Sequence, residues 1–179
     1  MNVIKNIITL ILINVSLYSH PVVKDLNIEK FMGRWYVIAL IPNWIEENST
    51  DSFDDYILNK DGTIDITYKT IKDGKSRTIK QKATILDQNT PARWEIQFIK
   101  PWIPFYRAPY EVILLNKDYE YMVVGYPDNK FGWIMSRTKK LDDNIYRDIL
   151  NVIEKDFGYD NRKFKKVVHN HGIIDSTSK

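Results

Sequence analysis

The chain has 179 residues, 44% of them hydrophobic and 27% charged, which fits one globular domain and is too apolar for a disordered chain. With 26 Lys and Arg against 23 Asp and Glu, the formal net charge of +3 gives no electrostatic footprint for nucleic acid. The sequence has no cysteine, which excludes disulfides, thiolate metal sites, cysteine nucleophiles and cysteine-linked lipid anchors.

Residues 1–19 read as a secretory signal peptide. Lys5 precedes the apolar run Ile7-Ile8-Thr9-Leu10-Ile11-Leu12-Ile13, and the chain turns polar at Ser19-His20-Pro21. The run is shorter than the roughly 20 residues of a membrane span. Cleavage after Ser19 would leave a domain over 20–179, exported and soluble; the alternative is an uncleaved N-terminal anchor.

Eight candidate strands follow, at 33–41, 53–58, 63–71, 76–86, 93–99, 110–115, 119–126 and 132–137. Turn residues connect them, including Asn59-Lys60-Asp61-Gly62 and Lys72-Asp73-Gly74. Short antiparallel connections predict an all-β, up-and-down meander closed into an eight-stranded barrel, whose interior can hold one small ligand. A single helix comes next. Asp142 is its N-cap, Ile145, Ile149, Val152 and Ile153 recur at the helical period, and Gly158 closes it. A short strand over 164–168 and a frayed polar tail from Asn170 complete the chain.

Gly33-Arg34-Trp35-Tyr36 at the start of the first strand resembles the G-x-W-Y signature of lipocalins. Trp133-Ile134-Met135-Ser136-Arg137 is similar to the W-I-x-S-R segment before the lipocalin helix. Between them, residues 119–128 resemble a strand and turn of the bacterial outer-membrane lipocalins and apolipoprotein D. The resemblance covers 23–168. It implies a barrel with the C-terminal helix packed outside, and a plug at the closed base made by Gly33, Trp35 and Arg137. It also implies a protein that is no enzyme, uses no cofactor or metal, and stores or carries small hydrophobic ligands. Fatty acids and lysophospholipids are the expected class, in support of outer-membrane lipid maintenance, with the protein in the periplasm or at the outer membrane. Bacterial relatives often carry a lipoprotein cysteine that this chain lacks, so membrane contact is expected to be peripheral at most.

Alternation places Trp35, Val37 and Ala39 on the inner face, with Tyr56, Leu58, Ala83, Ile85, Trp94, Ile96, Phe98, Tyr110, Val112, Leu114, Trp133 and Met135. This lining suits an acyl chain, unless the side chains fill the barrel entirely. Asp54 breaks the pattern. It is expected in solvent, where the strand bulges or ends, although facing inward would let it meet a ligand headgroup. Two apolar tips, at 42–45 and 100–109, either rim the mouth or pack on the outside. A headgroup is expected at the open end, where Arg107 could pair with a phosphate or carboxylate.

Catalytic signals are weak. His20, His169 and His171 lie near the ends, and no G-x-S-x-G, phosphate loop or H-E-x-x-H occurs. The basic run at 162–166 reads as a solvated strand face and not a nucleic-acid patch. Two other readings remain: an enzyme working in the same cavity, and a filled barrel that binds another protein. Monomer and homodimer are both compatible with the sequence.

Overall fold

The structure, a computed structural model, describes residues 20–170. The signal-peptide reading, the tail beyond Asn170 and His171 lie outside the described residues. The elements are α1 (Ile28–Phe31), β1 (Gly33–Leu40), β2 (Ser49–Leu58), β3 (Ile64–Lys72), β4 (Lys75–Ile85), β5 (Arg93–Lys100), β6 (Ala108–Leu115), β7 (Tyr121–Gly125), β8 (Gly132–Ser136), α2 (Asp143–Phe157) and β9 (Lys165–Lys166), with a short 3-10 turn at Asn161–Lys163.

Every neighbouring pair from β1 to β8 is antiparallel, and β1 pairs with both β2 and β8, so the sheet closes on itself. The eight-stranded meander is the expected one. Closure leaves no long unpaired edge. The turns explain the tight connections. Between β3 and β4, Asp73 and Gly74 both take positive φ, 51° and 71°, as a two-residue type I′ hairpin requires. β9 occupies the upper part of β1, pairing Ala39 with Lys166 and Leu40 with Lys165, where β2 has already diverged.

Two apolar clusters hold the fold. The inner one fills the barrel with Phe31, Trp35, Val37, Tyr56, Ile64, Ile66, Tyr68, Trp94, Val112 and Met135. The outer one lies between barrel and helix, where Tyr146, Ile149 and Ile153 of α2 meet Ile38, Ala39, Ile113, Val123 and Ile134. The helix starts at Asp142, whose carboxylate accepts from the backbone N–H groups of Asn144 and Ile145, and ends at Gly158.

Two inner-face expectations are corrected by β-bulges. The β1–β8 register shifts between Val37 and Ala39, and the β6–β7 register shifts between Val112 and Leu114. Each extra residue reverses the alternation beyond it. Ala39 and Leu114 therefore face the outer cluster, and Leu40 and Leu115 face the interior.

Asp54 is corrected as well. A bulge does occur in β2, but between Thr50 and Phe53, with Asp51 at φ 54°. From Phe53 onward the pairing is regular. Asp54 lies opposite Trp35 on one side and Tyr68 on the other, and its side chain faces inward.

Candidate functional site

The closed end is built around Arg137. Its guanidinium lies 3.8 Å from the centre of the Trp35 ring. It donates to the carbonyls of Arg34 (2.9 Å), Lys30 (2.8 Å), Phe31 (3.0 Å) and Tyr119 (3.3 Å). Trp35 in turn donates its indole N–H to Phe31 O at 2.8 Å. Gly33 passes beneath at φ 93°, and a Cβ there would stand 3.4 Å from Arg137 Nη1.

Above this plug the aromatic rings form a floor. Phe31 meets Trp35, Tyr56 and Trp94 at centroid distances of 5.4, 5.5 and 5.1 Å. Trp94 stacks on Tyr110 at 4.8 Å, and the hydroxyls of Tyr56 and Tyr110 are hydrogen-bonded at 2.8 Å. The lower barrel is thus packed shut.

The upper barrel holds a cavity of about 160 Å³ that opens at the mouth. Of the expected wall, Tyr56, Ile96, Phe98, Tyr110, Trp133 and Met135 line it. Val37, Leu58, Ala83, Ile85, Trp94 and Val112 belong to the packed interior below or beside it. Sequence reasoning missed Ile66, Tyr68, Ile79 and Gln81, which alternation along β3 and β4 could have supplied. It also missed Glu46, Tyr126 and Phe131, which loops and strand ends bring to the mouth.

Two carboxylates give the cavity its electrostatic character. Glu46, in the β1–β2 loop, is buried; its Oε1 accepts from Trp133 Nε1 at 2.8 Å and its Oε2 from Asn43. Burial outweighs these two neutral donors and pushes its carboxyl up to about 7. Asp54 has no hydrogen-bond partner among the described residues. Burial first, and then the charges of Glu46 and Asp55, hold its carboxyl well above the usual range. Among the described residues that line the cavity, none is Lys, Arg or His.

The mouth is apolar. Trp44 is 76% exposed and lines the cavity, Tyr106 lines it too, and Trp102 and Phe105 of the same segment as Tyr106 are exposed. Both apolar tips therefore reach the rim. Arg107, expected where a headgroup could reach it, has a side chain 45% exposed and pairs through its Nε with Glu95 at 3.1 Å.

His20 sits apart from the cavity. Its Nδ1 lies 2.9 Å from Glu111 and its Nε2 2.6 Å from Asn129, while Arg93 donates to its carbonyl at 2.8 Å. These contacts tie the start of the domain to β5 and β6. His169 lies 2.9 Å from Val37 O. Neither forms part of a metal-binding group among the described residues.

A closed antiparallel meander, an Arg-on-Trp base, one mouth and an external helix are the features to compare with known proteins. The family model for a lipocalin-like domain matches residues 26–169. The chain belongs to the lipocalin family. Lipocalins bind small hydrophobic ligands. This lipocalin is 33% identical over 150 residues to temperature-induced lipocalin-1 of Arabidopsis thaliana, covering 81% of this chain and 80% of that one. It is 29% identical over 145 residues to the outer membrane lipoprotein Blc of Escherichia coli, covering 80% and 79%. Apolipoprotein D of Mus musculus is 32% identical over 117 residues, covering 65% and 59%. Among solved structures, insecticyanin of the tobacco hornworm superimposes with a TM-score of 0.67 at 17% identity, covering 86% of each chain. Lobster apocrustacyanin A1 does so with 0.63 at 21% identity, covering 80% of each. These two likenesses carry the fold of this lipocalin.

Proposed function

We propose that the barrel binds a single-chain lipid of the fatty-acid or lysophospholipid class and stores or ferries it across an aqueous compartment. The observation that carries this reading is the aromatic, open-ended cavity above a sealed floor. An apolar cavity of ~150 Å³ takes a ligand the size of one aromatic ring. One of about 160 Å³ therefore encloses one end of such a molecule and leaves the rest at the apolar rim. A second alkyl chain has no room inside.

The mature domain would start near His20 and act outside the cytoplasm, in the periplasm or against the outer membrane. The signal-like residues 1–19 and the likeness to an outer membrane lipoprotein support this. With no cysteine to acylate, contact with a bilayer would be peripheral and through the rim aromatics.

Binding is read by titrating the protein's tryptophan fluorescence with a lysophospholipid and a fatty acid, each below its micelle concentration. Trp133 lines the cavity and reports directly. Saturable binding to the wild type, weakened at least about tenfold by Met135→Trp, is the expected result. Equal binding by both proteins, or by neither, removes the cavity as the ligand site.

A further inference from the structure

The cavity wall is acidic without compensation. Glu46 and Asp54 line it, and among the described lining residues there is no cation. Glu46 receives hydrogen bonds only from the neutral Trp133 and Asn43 side chains, and Asp54 receives none. The cations around it are engaged elsewhere. Lys72 Nζ donates to the carbonyls of Trp44 (2.6 Å) and Ile45 (3.2 Å) at the mouth, Arg137 is held under the floor by four carbonyls, Arg34 is paired with Asp55 at 2.8 Å, and Arg107 with Glu95.

An enclosed carboxylate without a counter-charge is unfavourable, and a protein that retains two in one cavity leaves a place for the missing charge. We propose that this cavity selects an alkylammonium ligand, whose cationic nitrogen lies between the carboxylates of Glu46 and Asp54 while its apolar tail leaves through the aromatic rim. The proposal rests on the reading above that the cavity takes one end of a single-chain amphiphile, and departs from it in the headgroup, a cation in place of a carboxylate or phosphate.

Three further observations agree. Tyr68, Tyr110 and Trp133 share this wall, and aromatic rings accommodate an ammonium better than an anion. A bound carboxylate or phosphate would meet two acids and no positive partner, so an anionic headgroup is opposed at this depth. The rim, with Trp44 exposed, offers apolar surface where a tail emerges, and its cations Lys72 and Arg107 already have partners: Lys72 donates to the carbonyls of Trp44 and Ile45, and Arg107 is paired with Glu95. The polarity of this barrel is inverted relative to a headgroup-out arrangement: the carboxyl groups lie within, where a bound cation would favour their ionised form, and apolar surface lies at the mouth.

The test compares three probes of equal chain length, dodecylammonium, dodecanol and dodecanoate, titrated below their micelle concentrations into the wild type and Asp54→Asn. The wild type should bind dodecylammonium at least about tenfold more tightly than either other probe. In Asp54→Asn that preference should collapse through loss of dodecylammonium affinity, with thermal unfolding showing that the variant is folded. If dodecanoate binds the wild type as well as dodecylammonium does, or if Asp54→Asn keeps the full preference, the headgroup assignment is overturned while the cavity stands. If none of the three binds, the ligand-binding reading itself falls. Should Asp54→Asn fail to fold, the wild-type preference and its reduction in Glu46→Gln decide the matter.

Discussion

Arg137 shows how one side chain closes a barrel. The planar guanidinium makes four hydrogen bonds, to carbonyls of α1, the start of β1 and the β6–β7 turn, while the Trp35 face covers the same group. Arg137→Ala should lower stability by about 1–3 kcal/mol, since it removes the donor from four carbonyls, three of them partly buried, and uncovers an indole. Thermal unfolding measures this, and an unchanged melting temperature would remove Arg137 from the base. Glu46 presents the opposite case, a residue whose charge the fold resists. Its carboxyl rises from 4.5 to about 7 because burial disfavours the anion. Between those values the unfolded chain has released the proton that the folded chain still holds. Stability contributed by the protonated form is therefore full below pH 4.5 and is lost as pH rises through 7. The loss is on the order of 3 kcal/mol at most. Glu46→Gln should flatten this part of the stability profile, measured by urea unfolding at acidic and neutral pH. A variant whose slope matches the wild type would show that Glu46 is solvated.

At the scale of elements, the bulges in β1 and β6 decide which residues face the barrel interior. Ala39 packs under α2, so Ala39→Leu should overpack the helix interface and destabilise by ~1–3 kcal/mol while lipid binding is retained. Loss of binding at full stability would place Ala39 back inside the barrel. The same bulges explain where sequence reading stopped. Strands β3 and β5 alternate apolar with polar residues; period two placed Trp94, Ile96 and Phe98 of β5 on the inner face, and the same period, not applied to β3, would have placed Ile66 and Tyr68 there. Val37-Ile38-Ala39-Leu40-Ile41 and Val112-Ile113-Leu114-Leu115 are apolar on both faces, because one face meets the interior and the other meets the helix. No polar residue marks the register there, and no glycine or proline marks the bulge. The helix was legible to its caps, since Asp142 and Gly158 are local signals. Glu46 was not, as it depends on a loop folding over the mouth, and Asp54 was misjudged because nothing in the sequence showed that the bulge of β2 falls before Phe53. Asp54 breaks the apolar pattern of its strand face, and such breaks are where functional residues concentrate.

Over the whole molecule, packing is uneven along the barrel axis. The base is dense with Phe31, Trp35, Tyr56 and Trp94, tied down by Arg137 and strapped by the segment from His20, whose Val23 N–H donates to Val112 O at 3.0 Å. The mouth is a cavity bordered by loops that carry exposed Trp44, Trp102 and Phe105. Local opening should follow this gradient, because amides with few buried apolar neighbours exchange through small fluctuations and core amides only through global unfolding. Hydrogen exchange should be slowest at the backbone of Trp35, Val37, Val123 and Ile134 and fastest over residues 41–48 and 100–107. Bound lipid should then slow exchange at the mouth segments and at Trp133, and leave the base close to its ligand-free rate, since the floor is already complete without ligand. The measurement is a comparison of peptide exchange with and without saturating lipid. Protection spread evenly to the base would mean that the floor forms only on binding, and would replace the picture of a preformed half-barrel with one of coupled closure.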